Sequence, residues 1–298
     1  MPDYFSMTVV LAVFYTVFVG QIYILSIYIP NKICDRVEHV LRHFPPQDYP
    51  KLYPVNRDGL LKRQGRAIRV FRVVNYLIAA VGFLILSVMY ASDYTPHEKG
   101  GDETFVMLYF LFQVGPFFYI SIKEYKQFKL MREAYTSNTR TAELQPRRLF
   151  DFISPIWVVL AAILYICWLV FYLNGANVEG PLSWENYVTI AGITGMNIAY
   201  IILISANLLG KKVDPYKAYK DHLKQIESMV KSLVFSSVMI SIFLIATQAA
   251  DQYALEVFDP PLTSFYMQLC IIFGAGLTLR LQRVETTNFE VYKRGPRA

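Results

Sequence analysis

Cys34, Glu38, His39 and His43 lie close together in the sequence, and their side chains are of the types that bind transition metals. In a helix, residues four positions apart share a face, so His39 and His43 would lie together and Cys34 beside Glu38. That spacing can hold a metal ion. Two histidines at this spacing also occur often by chance, and no further set of ligands accompanies them. We therefore expect a solvated or headgroup-facing pair, and no bound metal or other cofactor.

The common signatures of catalysis are missing from the sequence. There is no Gly-x-Ser-x-Gly nucleophile turn, no His-Glu-x-x-His zinc motif, no phosphate-binding Walker loop and no Cys-x-x-Cys pair. Lys, Asp, Glu and His are also missing from the middle of every long apolar segment, where proton relays and ion-coupling sites place them. We expect a protein that is not an enzyme, not a proton pump and not a retinal protein.

Uncharged polar residues do interrupt the apolar segments. Each could hydrogen-bond to a neighbouring helix, which contributes about 0.6–2 kcal/mol. Alternatively, together they could line a neutral polar path for a solute. Both interpretations stay open for Asn75, Gln113, Asn197, Asn207, Gln248 and Gln268.

The segment around residues 105–119 is unusually aromatic. Helical spacing puts Phe105, Tyr109, Phe112 and Tyr119 on one face, with a kink expected from Pro116. Such a face could stack against a lipid, a quinone or a pigment, or another hydrophobic ligand. The alternative is that these rings face lipid tails or fill the core.

A proline-rich stretch with tyrosines follows the first apolar segment. Its backbone cannot continue as a helix and favours an extended, polyproline-like path. It could dock a protein partner, or it could form a rigid return that folds back on the ends of the helices. The residues concerned are Pro45, Pro46, Tyr49, Pro50, Tyr53 and Pro54.

A basic run leads into the second apolar segment. Lys62, Arg63, Arg66 and Arg69 alternate with Leu and Ile, as in a helix that lies against anionic lipid headgroups. We predict contacts with anionic headgroups there, although the retention of basic residues on the cytoplasmic side would by itself account for the run.

The elements that carry these residues follow from composition. Of 298 residues, 54% are hydrophobic and 17% are charged, which excludes an ordinary soluble domain. We predict an all-α polytopic membrane protein with a single domain, 1–298, whose helices form a seven-helix bundle. The predicted spans are 5–29, 70–91, 105–122, 152–173, 187–209, 232–250 and 262–281.

The connections predict the orientation. The net charge is +6, and every Lys and Arg except Lys99 falls on one side, in the basic connections 30–69, 123–151 and 210–231, in the tail 282–298 or in residues next to them. The positive-inside rule then places the N-terminus outside and the C-terminus in the cytoplasm. The basic charge therefore indicates topology, and we expect no nucleic-acid partner.

The spacing of the segments also hints at a repeat of about 80 residues, built from a helix, a basic loop with tyrosines and a second helix. Tyrosine-containing stretches recur at 48–53, 132–135 and 214–219, with a fainter one at 288–293. Regular spacing in any seven-helix protein of this length is the simpler explanation.

Two functions remain open. The first is a structural or partner-binding subunit of a membrane assembly, acting through its cytoplasmic cap as a homo-oligomer or with protein partners. The second is a carrier or channel for a neutral or lipophilic small molecule. The compact outer connections favour a bacterial inner membrane as the location.

Overall fold

The computed structural model describes residues 7–53, 57–96, 103–135, 147–175, 182–210 and 212–293. Within these ranges the chain forms helices joined by short turns, and no strand is present. Pro54 lies outside the described residues, so the predicted docking stretch is followed only as far as Tyr53.

Within these described ranges, seven helices are long and apolar enough to cross a membrane, which confirms the prediction of an all-helical chain with seven potential membrane spans. Each is unbroken or interrupted only by a local change in helical winding. In chain order we label them α1 (Met7–His43), α2 (Arg57–Ala91), α3 (Glu103–Glu133), α4 (Pro155–Gly175), α5 (Trp184–Leu209), α6 (Tyr219–Gln252) and α7 (Glu256–Leu281).

Four helices run well past the predicted apolar spans at the end of the bundle that carries the Lys and Arg residues; at the other end, α7 begins at Glu256, before its predicted span. We call the end with the Lys and Arg residues the basic end. There α1 continues to His43, α2 already begins at Arg57, α3 continues to Glu133 and α6 begins at Tyr219. Hydropathy falls where charges begin, but Lys, Arg, Glu and Leu are good helix formers, so the backbone hydrogen bonding continues.

One core joins α1, α2 and α3. Phe14, Phe18 and Ile22 of α1 pack against Ala79 of α2 and Val106 of α3. Toward the basic end the same helices meet again around Cys34, which is fully buried beside Ile68 and Phe71 of α2, with Phe117 of α3 against them. These three helices therefore stay together through the membrane and beyond it.

A second core joins α4, α5 and α6. Ile226, Val230 and Val234 of α6 pack with Ile153 and Ala161, and Ile204 of α5 adds to the cluster. Helix α7 contacts α6 on one side and α1 and α3 on the other, so it connects the two groups of helices.

Two helices contain a widened turn in which the backbone hydrogen bond spans five residues. In α1 it covers Ile24–Tyr28, and in α7 it covers Ile272–Gly276. Just past the first of these turns, Ile29 lies against Gly276, the last residue of the second, since a Cβ atom on that glycine would stand 3.9 Å from Ile29 Cδ1. Turns of this kind are frequent at functional sites.

Gly82 of α2 makes room for Tyr109 of α3. The hydroxyl of Tyr109 donates a hydrogen bond to the backbone oxygen of Ile78 at 3.0 Å, and a Cβ atom at position 82 would lie 2.1 Å from that hydroxyl. Only glycine leaves this slot open, so Gly82 determines how α2 and α3 pack.

We expect Gly82→Ala to lower the free energy of unfolding by about 1–3 kcal/mol, because the rigid ring of Tyr109 would have to leave its slot. Thermal unfolding in mild detergent, followed by tryptophan fluorescence, measures this. Gly192→Ala is the matched control, since nothing lies within 4 Å of a Cβ atom there. Equal melting temperatures for Gly82→Ala and the wild type would contradict the packing.

Candidate functional site

A network of side-chain hydrogen bonds lies inside the membrane-spanning part of the bundle. Gln21 of α1 is fully buried; its Nε2 donates to Gln113 Oε1 on α3 at 2.8 Å, and its Oε1 accepts a hydrogen bond from Ser264 on α7 at 2.5 Å. A single amide thus joins three helices. In hydrocarbon an unsatisfied polar group costs several kcal/mol, so each member depends on the others.

The network extends in both directions from Gln21. Gln113 Nε2 donates to the hydroxyl of Ser26 at 2.9 Å, and Ser26 belongs to the widened turn of α1. On the other side, Gln268 Nε2 donates to the backbone oxygen of Val17 at 3.0 Å. Of the predicted polar residues, Gln113 and Gln268 therefore make bonds between helices in one place.

The other predicted polar residues lie elsewhere. Asn197 of α5 accepts a hydrogen bond from Ser237 of α6 at 2.5 Å. Asn75 and Asn207 donate to carbonyl groups of their own helices. Gln248 lies near Gly175 at the opposite end of the bundle, where its Nε2 would stand 3.0 Å from a Cβ atom on that glycine. The six residues do not form one continuous line in the structure.

The predicted aromatic face is divided. Phe105, Phe112 and Tyr119 are exposed on the outside of α3, at 72%, 70% and 43% of their surface. Tyr109 instead turns toward α2, where it packs against the first core and donates to Ile78. Helical spacing alone placed all four together; the slot at Gly82 separates one of them.

The predicted lipid-contact residues lie on the first turns of α2. Lys62, Arg63, Arg66 and Arg69 are all exposed there, and no ion pair involves them among the residues described. Nearby, Gln64 Nε2 donates to Gln127 Oε1 of α3 at 2.5 Å, which ties the two helix extensions together.

The proline and tyrosine stretch folds back onto the chain's own tail. The ring of Phe44 stacks on Phe289 at 3.8 Å between centroids, and Lys51 Nζ donates to the backbone oxygen of Val291 at 3.3 Å. Tyr53 is buried, which raises its pKa to about 12, and its hydroxyl donates to the backbone oxygen of Phe44. We call the body formed by residues 44–53, 212–218 and 282–293 the cap.

The cap is held by buried charged groups. Asp214 accepts hydrogen bonds from the hydroxyl of Tyr292 and from the backbone N–H of Tyr216, the latter at 3.0 Å. Asp221 at the start of α6 accepts one from the backbone N–H of Asn288 at 2.8 Å. Burial raises the pKa of Tyr292, and the negative charge of Asp214 raises it further, so the tyrosine hydroxyl keeps its proton and donates a hydrogen bond to Asp214. Burial also raises the pKa of Asp214, and the hydrogen bond from Tyr292 opposes this rise.

Tyrosines from the separate loops meet at the cap. The rings of Tyr135 and Tyr216 lie 5.0 Å apart edge to face, and those of Tyr216 and Tyr292 lie 6.4 Å apart. Lys293 lies over the ring of Tyr49 at 5.5 Å. The tyrosine-containing stretches that we compared as a possible repeat thus share one location, which leaves the repeat itself a prediction.

The sequence patterns did not single out two groups of residues that the structure brings together. Gln21, Ser26 and Ser264 complete the membrane network, and a glutamine within the first apolar segment was the available signal. Asp214, Asp221 and Tyr292 hold the cap. Asp214 and Tyr292 lie in the tyrosine-containing stretches, but no local pattern indicates that they pair, because their partners lie far away in the sequence.

The histidines of α1 stack on one another. The ring centroids of His39 and His43 lie 4.1 Å apart, and His43 Nδ1 lies 3.0 Å from the backbone oxygen of His39. Cys34 is buried against α2, away from solvent. Among the described residues, no group of three or more His, Cys, Asp or Glu side chains could hold a metal ion.

Comparison of the chain with protein-family models, with curated proteins and with solved structures finds no match in any of the three.

We expect Gln21→Leu to lower the free energy of unfolding by about 1–3 kcal/mol, because Gln113 and Ser264 would each lose a buried partner. Asn207→Leu is the matched control: it removes an amide that donates within its own helix, to Leu203. Thermal unfolding in detergent compares the two. A Gln21→Leu protein as stable as Asn207→Leu would show that the network contributes nothing.

Tyr292→Phe removes only the hydroxyl group, which donates a hydrogen bond to the carboxylate of Asp214. Since a hydrogen bond to a charged group contributes about 1.5–3 kcal/mol, we expect backbone amides of residues 284–293 to exchange hydrogen about 10–100 times faster. Hydrogen–deuterium exchange with mass spectrometry measures this, and Tyr125→Phe at an exposed site serves as the control. Unchanged exchange of the tail would rule out this bond as its anchor.

Proposed function

We propose that the chain is a non-enzymatic integral membrane protein that serves as a structural or partner-binding subunit of a membrane assembly and acts through its cap. The observation that carries the proposal is that the cap is well packed, with buried side chains in each of its three segments. Tyr53, Asp214 and Tyr292 are each at most 5% exposed, in segments that could have been simple returns between helices. A preorganised surface loses little conformational entropy when a partner binds, which favours recognition.

The orientation belongs to the same proposal. With the N-terminus outside, the cap and the basic end face the cytoplasm, where soluble partners of a bacterial inner-membrane protein would reach them. The support is the distribution of charge, because Lys99 is the one basic residue of the sequence in a predicted outer connection.

Membrane lipids are the second class of partner in the proposal. Lys62, Arg63, Arg66 and Arg69 are exposed just before the apolar part of α2, at the level expected for headgroups. Each such residue near an anionic surface contributes about 1 kcal/mol of attraction. The proposed role is to hold the α2 and α3 extensions against the cytoplasmic leaflet.

The alternative is a carrier or channel for a neutral or lipophilic small molecule. One observation favours it: both widened turns lie beside polar side chains in the membrane. Ser26 in the first turn accepts from Gln113, and the backbone oxygen of Phe273 in the second accepts a hydrogen bond from Ser232 of α6 at 2.8 Å. Against it, the network of Gln21 is closed by its own hydrogen bonds.

The test is native mass spectrometry of the protein extracted from its own membrane in mild detergent. We expect a complex heavier than the single chain, and we expect the double variant Asp214→Ala, Tyr292→Ala to lose it while keeping the helical bundle folded. Tyr253→Ala, at an exposed position on the opposite end, is the control and should retain the complex.

The same samples check the orientation. A cysteine introduced at exposed Lys220 should react with a membrane-impermeant maleimide in inside-out vesicles and not in right-side-out vesicles. A single chain in every extract, or a complex that the double variant leaves intact, would contradict the proposed role of the cap.

A further inference from the structure

Asn75 of α2 has a buried oxygen atom that receives no hydrogen bond. Its side chain is 1% exposed, and its Nδ2 donates to the backbone oxygen of Phe71 at 2.8 Å. In the part of the chain that the structure describes, Asn75 Oδ1 has no hydrogen-bond partner. Turning the amide round does not correct this, because the carbonyl group of Phe71 only accepts hydrogen bonds and needs the amide nitrogen beside it. One strong acceptor is therefore left over in the apolar part of α2.

Asn75 faces α3. Phe71, one turn before it, packs edge to face on Phe117 of α3, with 5.5 Å between the ring centroids. Ile78, one turn after it, accepts a hydrogen bond on its backbone oxygen from the hydroxyl of Tyr109 at 3.0 Å. Contacts with α3 thus flank Asn75 on both sides along α2.

The residue of α3 at the same level is Gln113. It lies midway between Tyr109 and Phe117, four residues from each, so the three share one face of the helix. The two flanking contacts join later residues of α2 to earlier residues of α3, so the helices run in opposite directions and this midpoint lies opposite Asn75. Gln113 is fully buried, and its Nε2 donates to Ser26 of α1 at 2.9 Å.

Asn75 also faces the widened turn of α1. Toward the basic end, Cys34 Sγ of α1 lies 3.9 Å from the backbone oxygen of Ile68, to which it donates. Toward the other end, a Cβ atom on Gly82 would stand 3.0 Å from Ile22 Cδ1 of α1. Ile68 and Gly82 are each seven residues from Asn75, about two turns, and share its face. The stretch of α1 between Ile22 and Cys34, which contains the widened turn, therefore lies opposite Asn75.

Three polar side chains thus meet in one buried layer, those of Asn75, Gln113 and Ser26. Gln113 Nε2 directs its two hydrogens to Ser26 Oγ and, at 3.5 Å, to the backbone oxygen of Gln21, so neither reaches Asn75. Gln113 Oε1 accepts from Gln21 Nε2 and has a second lone pair, and the hydroxyl of Ser26 has a hydrogen to donate. An unpaired acceptor is costly in hydrocarbon, and an interrupted helical ladder is a place where water inserts.

We propose that one water molecule binds between Asn75, Ser26 and Gln113. It donates one hydrogen to Asn75 Oδ1 and the other to the second lone pair of Gln113 Oε1, and it accepts a hydrogen bond from the hydroxyl of Ser26. Three hydrogen bonds are the usual number for a buried water. The water makes α2 a member of the network that Gln21 builds between α1, α3 and α7. This inference does not depend on the proposed role of the cap in assembly.

The first test is the direction in which Asn75→Leu changes the melting temperature in mild detergent. An unpaired oxygen is a liability, so its replacement by leucine would raise the melting temperature. With the water bound, leucine removes one of its three partners, and we expect a fall of about 2–5 °C. Asn207→Leu is the matched control: its amide also donates to the carbonyl four residues earlier, but the side chain is only partly buried, so the change should be smaller.

Hydroxyl-radical labelling detects the water in the wild type, without any variant. X-ray pulses split bound water into radicals that oxidise the side chains beside it, and mass spectrometry locates the oxidised residues. Phe71 and Phe14 are matched probes, since they are 1% and 3% exposed and Phe14 lies in the apolar first core. We expect Phe71 to be oxidised well above Phe14, and its labelling to fall to that of Phe14 in Asn75→Leu.

A salt titration separates water from a bound cation. Every side-chain oxygen of the layer belongs to an uncharged group, which favours water. We expect sodium chloride and choline chloride at equal concentration to give the same melting temperature, in the wild type and in Asn75→Leu alike. The proposal is overturned if sodium stabilises the wild type alone, if Asn75→Leu melts above the wild type, or if Phe71 is labelled no more than Phe14.

Discussion

The amide of Gln21 bonds α1 to α3 and to α7 at one point inside the membrane. Lipid tails are as apolar as leucine side chains, so apolar packing alone gives helices little reason to choose one arrangement over another in a bilayer. A buried amide does give one, because its donors and acceptors must find partners and few arrangements provide them. The positions of the three helices therefore depend on this contact.

The arrangement of the other helices depends on the position of α7, which its contact with Gln21 fixes. Since α7 also packs on α6, it brings the group of α4, α5 and α6 against the group of α1, α2 and α3. Ser232 and Ser228 of α6 bond to Phe273 and Thr278 of α7, around the widened turn. The two groups thus meet through hydrogen bonds on both sides of one helix, while the outer faces are left to lipid.

Sequence reasoning predicted the seven spans because hydropathy is a local property: the composition of each segment by itself determines whether that segment can cross the bilayer. It underestimated α1, α2, α3 and α6 at the basic end because hydropathy reports the limit of the hydrocarbon and not the end of the helix. Charged side chains there continue the helical backbone into water.

The sites were less predictable, for a physical reason. Gln113 and Gln268 could be singled out as polar residues in apolar segments, but their connection through Gln21 depends on which helices pack together. Tyr109 has the right spacing to join Phe105 and Phe112. Its ring instead packs inward against α2, because Gly82 leaves space for it there. Such contacts join residues that are distant in sequence, so neither periodicity nor composition can predict them.

The contacts between the first loop and the tail also determine when the cap can form during biosynthesis. Lys51 and its acceptor Val291 are separated by 240 residues, so the first loop leaves the ribosome on the order of tens of seconds before its partner, at typical rates of synthesis. During that interval Phe44 and Tyr49 lack the tail rings and cation that later cover them. The cap cannot close until α7 has been inserted. A closed cap therefore distinguishes a fully inserted bundle from an arrested one, and an open cap leaves aromatic surface that chaperones and proteases can recognise.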